Sequence, residues 1–174
     1  MLLTGKAHTF YDTTFVWSRP VNTSQPKEGQ IITGPYFLKP YLIPFNNEIQ
    51  LNMAIEPIYT TSNIGIYYYN QKKNEWNYLP SQLAPDSMYI STSILSGEIF
   101  AVIEENNPPK LSDFIPDLNG TYYSSDLEHI SFNVIDSFSG IEGETDIIVK
   151  LDDNPVVFEY NSYQNKVRYP LKYN

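Results

Sequence analysis

The chain has 174 residues and no cysteine. No disulfide can staple it, which fits a bacterial envelope location as well as a cytosolic one. Histidine is nearly absent too. His8 and His129 are the only two, far apart in sequence. A zinc site needs three or four nitrogen, sulfur or carboxylate ligands together, and a nucleophile–histidine pair needs its base close by, so both chemistries are disfavoured. Each His alternates with apolar neighbours and reads as an outward-facing strand residue. Basic residues are few: 11 Lys and Arg against 20 Asp and Glu, a net charge of −9. An acidic surface repels phosphate backbones, which excludes nucleic acid as an expected partner. The charge is uneven. Residues 1–104 hold six basic and eight acidic side chains, and residues 105–174 hold five and twelve. No apolar run approaches the roughly 20 residues of a membrane helix, so membrane insertion is not expected. Met1-Leu2-Leu3 runs straight into Thr4-Gly5-Lys6 without a signal-peptide apolar region, so an export signal, if used, is expected outside this chain. No stretch keeps helical periodicity with a cap, beyond one short turn at 124–129.

What is present points to strands. Fifteen Tyr favour pleated, half-buried surfaces, and 13 Pro with 8 Gly break the chain too often for long helices. Residues 7–17 read as a strand or a broken hairpin, and 21–30 as a loop. Residues 31–45 carry Pro35, Pro40 and Pro44, which argue for short edge-like segments joined by turns rather than a central strand. The cleanest strand is 48–55, with Ile49, Leu51, Met53 and Ile55 on one face. Residues 63–70 and 75–80 flank a polar four-residue turn and predict a hairpin. Ile64, Ile66 and Tyr68 are expected to face the core, with Trp76 and Tyr78 across from them. Residues 87–95 and 98–105, separated by Ser96-Gly97, predict a second hairpin. The continuous run Ile99–Ile103 predicts a central strand buried on both faces.

Asn106-Asn107-Pro108-Pro109 suits an extended connector. The expected fold class is therefore all-β, with two tandem β-sandwich domains: residues 1–105, a Pro-rich linker at 106–112, and residues 113–174. Around Phe114-Ile115-Pro116 an edge strand opens the second domain, followed by a turn at 117–120. Three alternating runs follow. Ile130, Phe132 and Val134 share a face opposite His129, Ser131 and Asn133. Ile147, Val149 and Leu151 alternate with Ile148 and Lys150, and Val156, Phe158 and Tyr160 with Val157 and Glu159.

Three kinds of chemistry are conceivable. Oxygen ligands at one end of a sandwich can hold calcium, and Asp136, Asp152 and Asp153 are the candidates, with Glu142, Glu144 and Asp146 nearby. The EF-hand spacing is missing, and Asp is also an ordinary turn residue. Paired carboxylates could serve glycoside hydrolysis, but here they lie in turns. Tyr67, Tyr69 and Trp76 could form an exposed platform that binds a sugar or a partner protein; packing on both sheet faces accounts for the same residues. No cofactor is expected.

GPYFLKPYLIPF (34–45), IGIYYYNQKKNEWNYLP (64–80), EIFAVIEENNPPKL (98–111) and residues 133–171, which include Asp136, Ser139, Gly140 and Ile141, occur in an order that resembles one family. It is the C-terminal region of secreted bacterial zinc metallopeptidases of the lysostaphin or LytM type, which cut peptidoglycan cross-links. The likeness covers most of residues 10–174. It implies β-sandwich modules, the last immunoglobulin-like, downstream of a peptidase domain that would lie in a longer or separate chain. The family's zinc motifs, H-x-x-x-D and H-x-H, are absent, so no catalytic residue carries over. The resemblance implies a non-catalytic accessory or spacer module, extracellular or periplasmic, with a cell-wall or surface glycan or protein as partner. The alternative is a surface adhesion or carbohydrate-binding module. In the family the last domain continues with an L-x-x-G-x-H turn and a final strand. Here the likeness runs to Tyr169-Pro170-Leu171 and the sequence ends at Asn174, so a truncated domain is expected, less stable than the first or able to borrow a strand.

Overall fold

In the computed structural model, which describes residues 1–56, 63–85, 88–141 and 143–171, the fold is all-β, with 52% strand in antiparallel sheets and 3% helix. It divides into two compact units, Met1–Asn107 and Pro108–Asn174.

Among the described residues the first unit has nine strands: β1 (Leu2–Gly5), β2 (Trp17–Pro20), β3 (Gln30–Lys39), β4 (Pro44–Ala54), β5 (Ile64–Asn70), β6 (Glu75–Leu79), β7 (Gln82–Leu83), β8 (Tyr89–Ser96) and β9 (Ile99–Glu104). They form two sheets, ordered β1-β4-β8-β7 and β2-β3-β9-β5-β6. The alternation of 48–55 does what period two requires. Ile49, Leu51 and Met53 are buried and Gln50 and Ala54 exposed. These side chains meet Leu38, Ile66, Phe100 and Val102 of the second sheet in one core. Ile99, Ala101 and Ile103 point to the other side of β9 and are equally buried. The second sheet is therefore covered on both faces, as the unbroken apolar run predicts.

Several expectations fail in this unit, each for a reason visible in the packing. Residues 7–16 are turn, bend and irregular backbone, with β1 before them and β2 beginning at Trp17. Thr9 carbonyl accepts hydrogen bonds from Asn46 N (2.7 Å) and Asn47 N (3.4 Å), and Phe10 packs edge-on against Phe45 at 5.2 Å. The segment is tied down as a loop, so its β-branched residues never enter a ladder. His8 accordingly sits in a turn at φ 61°, not on a strand.

The proline-rich segment contains a central strand after all. β3 runs between β2 and β9 across Pro35. The register with β9 shifts between Thr33 and Tyr36, so the missing N–H of Pro35 falls at an irregularity, while its carbonyl accepts Val21 N at 3.1 Å. Pro40 and Pro44 lie at strand boundaries, as expected of proline.

Residues 87–95 and 98–105 are not a hairpin. β8 belongs to the first sheet and β9 to the second, and the chain crosses between them at Ser96–Glu98. Gly97 makes this corner possible. A Cβ there would lie 2.1 Å from Pro40 carbonyl oxygen and 2.6 Å from that of Leu38. Leu42 N donates to Gly97 O and Leu38 N to Glu98 O, which joins this crossing to the parallel one from β3 to β4. The β5–β6 hairpin does form, with Tyr67 opposite Tyr78 and Tyr69 opposite Trp76. Trp76 and Tyr78 thus share the face of Tyr67 and Tyr69 instead of the face of Ile66 and Tyr68.

The second unit has β10 (Lys110–Ile115), β11 (His129–Ile135), β12 (Lys150–Leu151), β13 (Asn154–Pro155), β14 (Glu159–Asn161) and β15 (Lys166–Pro170). One sheet has the order β10-β11-β15-β14, and β12-β13 is a separate hairpin. The connector is shorter than expected, because Lys110, Leu111 and Ser112 already pair with Ile135, Val134 and Asn133. β10 is an edge strand, as predicted, and the turn at 117–120 closes with Gly120 N donating to Asp117 O. A single 3-10 turn, Ser124–Asp126, occupies the short helical signal. Instead of a strand over 145–151, a 3-10 turn spans Glu144–Asp146 and only Lys150–Leu151 pair. Ile147 N bonds back to Glu144 O at 3.2 Å, so local closure consumes the donors a ladder would need. Val156, Phe158 and Tyr160 are half-buried and Val157 is 90% exposed, so the alternation holds, but the run is not one strand: 156–158 lie between β13 and β14 outside any ladder.

On β11, Ile130 faces Tyr169 and Phe132 faces Val167 across the pair, giving the apolar side of the sheet. Ser131, on the other side, is fully buried instead of outward-facing, and His129 is half-buried with Nδ1 shielded. β15, the last strand, is paired on both sides; the free edges are β10 and β14. Val134 and Val167 are the buried apolar side chains of this unit among the described residues, against seventeen in the first.

Candidate functional site

The residues named for a platform do not present one. Tyr67 is 1% exposed and Tyr69 and Trp76 are 7% each. They lie on the outer face of the second sheet with Ala101, which pairs with Tyr67. Segment 21–29 straps over them. Trp76 Nε1 donates to Ser24 carbonyl at 3.0 Å, Ser24 Oγ and Tyr69 Oη are 2.9 Å apart, and the Tyr69 hydroxyl also donates to Asn74 Oδ1. Packing on both faces of the sheet, the competing account of these rings, is what the geometry has.

The calcium candidates are likewise occupied or apart. Asp136 Oδ1 accepts from the backbone N–H of Phe138, Ser139 and Gly140 at 3.0, 3.0 and 3.2 Å, and Oδ2 accepts Ser139 Oγ at 2.9 Å. The carboxylate is the hub of its own loop, which is why Asp, Ser and Gly stand at these spacings. Asp152 and Asp153 form the two-residue turn between β12 and β13, at φ 50° and 63°, a conformation Asp tolerates and a tight hairpin demands. Glu142 lies outside the described residues. Glu144 Oε1 accepts Tyr160 N at 3.2 Å. Among the described residues no group of three or more His, Asp and Glu could hold a metal ion. Asp136→Ala should therefore destabilise the second unit by about 1–3 kcal/mol, the cost of orphaned amides. Calcium at millimolar concentration should leave the melting temperature unchanged, whereas a ligand of the folded state would raise it. A calcium-dependent rise lost in Asp136→Ala would restore the metal reading.

Each unit carries an open groove. One of about 490 Å³ in the first unit is lined by Lys6, His8, Asp12 and Thr13, among others. Another of about 530 Å³ in the second runs along Pro155–Glu159 and Tyr169–Leu171. In the first groove, Thr9 Oγ1 donates to Lys6 O and Asp12 Oδ1 accepts Thr13 N, so its polar groups serve local turns.

A further aromatic cluster, with one exposed ring, lies toward the β2 edge of the outer face. Trp17 on β2 is 46% exposed and its ring centre is 5.9 Å from that of Phe37 on β3. Phe37 stacks on Tyr41 at 5.0 Å. The Arg19 guanidinium carbon and Lys39 Nζ sit 5.7 and 5.6 Å from the Phe37 ring centre. The register explains the grouping: Trp17 opposes Lys39, Arg19 opposes Phe37, and Phe37 opposes Ile99, so all share the face of Ala101 and Tyr67. Tyr41 Oη donates to Gln71 Oε1 at 3.1 Å, bringing up the turn that carries Lys72 and Lys73. Sequence reading missed this cluster because its rings come from separate strands. The available signal was the alternation of Trp17 with Arg19 and of Phe37 with Lys39 and Tyr41.

Glu98 is the acidic neighbour of Tyr41. Burial raises its pKa, partly offset by the hydrogen bond from Ser96, and burial with the Glu98 charge raises that of Tyr41. A carboxyl whose folded value exceeds its unfolded one weakens the fold once pH rises through that window, and costs nothing below it. Glu98→Gln should stabilise the first unit at pH 7 by about a few tenths of a kcal/mol, small because the group is partly solvated. The gain should vanish below about pH 4 in urea titrations. A gain independent of pH would contradict this.

No protein-family model, curated protein or solved structure matches the chain.

Proposed function

We propose that the chain is a non-catalytic accessory or spacer module of an exported bacterial cell-envelope protein, such as the C-terminal part of a peptidoglycan hydrolase. The observation that supports this reading is the tandem organisation. Two antiparallel β units meet at Asn107–Pro108, within the Pro-Pro connector that the resemblance to lysostaphin- and LytM-type peptidases picks out. Such a module would position or anchor a catalytic domain made elsewhere. Purified peptidoglycan incubated with the chain should release no soluble fragments. Release that survives re-purification would sink the non-catalytic reading.

A second reading, a surface module that binds a glycan, is favoured by one observation. The exposed ring of Trp17 and the half-buried rings of Phe37 and Tyr41 lie beside hydrogen-bonding and cationic groups. Exposed aromatic rings ringed by polar groups are a common feature of binding surfaces. This differs from the Tyr67, Tyr69 and Trp76 platform, whose rings are buried.

A further inference from the structure

We infer that the surface formed by Trp17, Arg19, Phe37, Lys39 and Tyr41 binds an anionic glycan, with a sugar ring against Trp17 and its acidic group on Arg19 and Lys39. The inference rests on the second reading above and adds the ligand class and the residues.

Charge is the first argument. The chain is strongly acidic, yet the first unit's cations are not spread evenly over it. Of the six Lys and Arg in residues 1–104, Arg19 and Lys39 flank Phe37, and Lys72 and Lys73 lie on the turn that Tyr41 touches through Gln71. Lys73 is engaged by Glu75 at 3.4 Å. Arg19, Lys39 and Lys72 have no ion pair among the described residues, so their charge is available to an outside anion. A guanidinium held beside a ring presents its remaining donors as a fork suited to a carboxylate or a phosphate.

Shape is the second argument. Trp17 sits on edge strand β2, and three rings follow one another at 5.9 and 5.0 Å. Trp17 is the exposed ring of this row, and half-buried Phe37, with Arg19 and Lys39 over its ring, holds the cations next to it; an open indole face beside cations suits a ligand with an apolar ring face and a charged rim. Glu98 beside Tyr41 opposes an anion at that end. The acidic group is therefore placed toward Arg19 and Lys39. The net charge of −9 repels densely charged polymers at long range, which favours a ligand whose charges are spaced by sugar rings over a nucleic acid.

Carboxylate-bearing and phosphodiester-bearing glycans share this chemistry. The test is affinity electrophoresis of the full chain through gels containing polygalacturonate, a phosphodiester-linked glycan polymer, or an uncharged β-glucan. Retardation by one or both anionic gels and not by the neutral one is expected, and which anionic gel acts identifies the source. The Arg19→Gln/Lys39→Gln double variant should weaken retention about fivefold or more, and added salt should do the same to the unaltered chain. Trp17→Ala should weaken it without restoring neutral binding. Because all three side chains are at the surface, unchanged melting temperatures will show that the variants are folded. Equal retention in neutral and anionic gels would overturn the anionic assignment and leave the glycan-binding reading standing. No retention in any gel would overturn both. Undiminished retention of the double variant would overturn the site.

Discussion

Replacing Trp76 or Tyr67 by Ala lowers the stability of the first unit by about 3–5 kcal/mol in urea denaturation, the range for truncating a buried aromatic side chain. The size follows from the strap over the outer face of the second sheet. Trp76 fills space under segment 21–29 and donates its indole N–H to Ser24 carbonyl, and Tyr67 is 1% exposed beside Ala101. Removing either ring leaves a cavity, and for Trp76 it also leaves a carbonyl without its donor. The same variants, assayed where they remain folded, should keep their retention on anionic glycan gels, because the proposed binding rings are Trp17, Phe37 and Tyr41. A variant of Trp76 that loses glycan binding with stability intact would return the buried rings to the candidate site.

The second large effect is a difference between the units. Residues 108–174 should unfold first on heating or in urea, as a transition of smaller amplitude at lower denaturant. Seventeen apolar side chains are buried in the first unit, between its sheets and under the strap, while Val134 and Val167 are those buried in the second. At roughly 1.5–3 kcal/mol for each fully buried aliphatic side chain, that contrast outweighs the difference in length. Much of the second unit's apolar surface faces water, including Leu111, Ile148, Val157 and Tyr163. Val167→Ala should shift only the lower transition, by about 2 kcal/mol. A second-unit transition at or above that of the first would show that the count of buried side chains misjudges its stability.

β15 is flanked by β11 and β14, and the free edges are β10 and β14. The positive φ of Asp113 and the register shift between Ser112 and Ile115 bend β10 away from a flat edge, a device that discourages pairing with other chains. Asn133 Nδ2 donates to Asp113 Oδ2 at 2.7 Å and holds that bend.

Much of the strand content was legible because period-two alternation is a local consequence of the pleat. Ile49, Leu51 and Met53 had to share a face whatever they met, and Ile99–Ile103 could not be half-solvated. Turns with their own chemistry were legible for the same reason: Asp136 caps its loop through bonds within four residues, and the β5–β6 hairpin needs only its own turn. Pairing between distant strands was not legible. Whether β8 folds back on β9 or crosses to the other sheet depends on the space at Gly97, set by Leu38 and Pro40 some sixty residues earlier. Whether Pro35 interrupts a strand or falls on an irregularity depends on the register with β9. The same holds for function. Tyr67, Tyr69 and Trp76 drew attention by proximity in sequence, and a distant loop buried them. Trp17, Phe37 and Tyr41 became a surface only when β2 and β3 paired and the turn at Gln71 arrived beside them. Sequence alone determined that the chain makes short alternating strands and has no cysteine and two histidines. Tertiary structure alone decided which aromatic rings face solvent, because exposure is a property of what covers a side chain and not of the side chain itself.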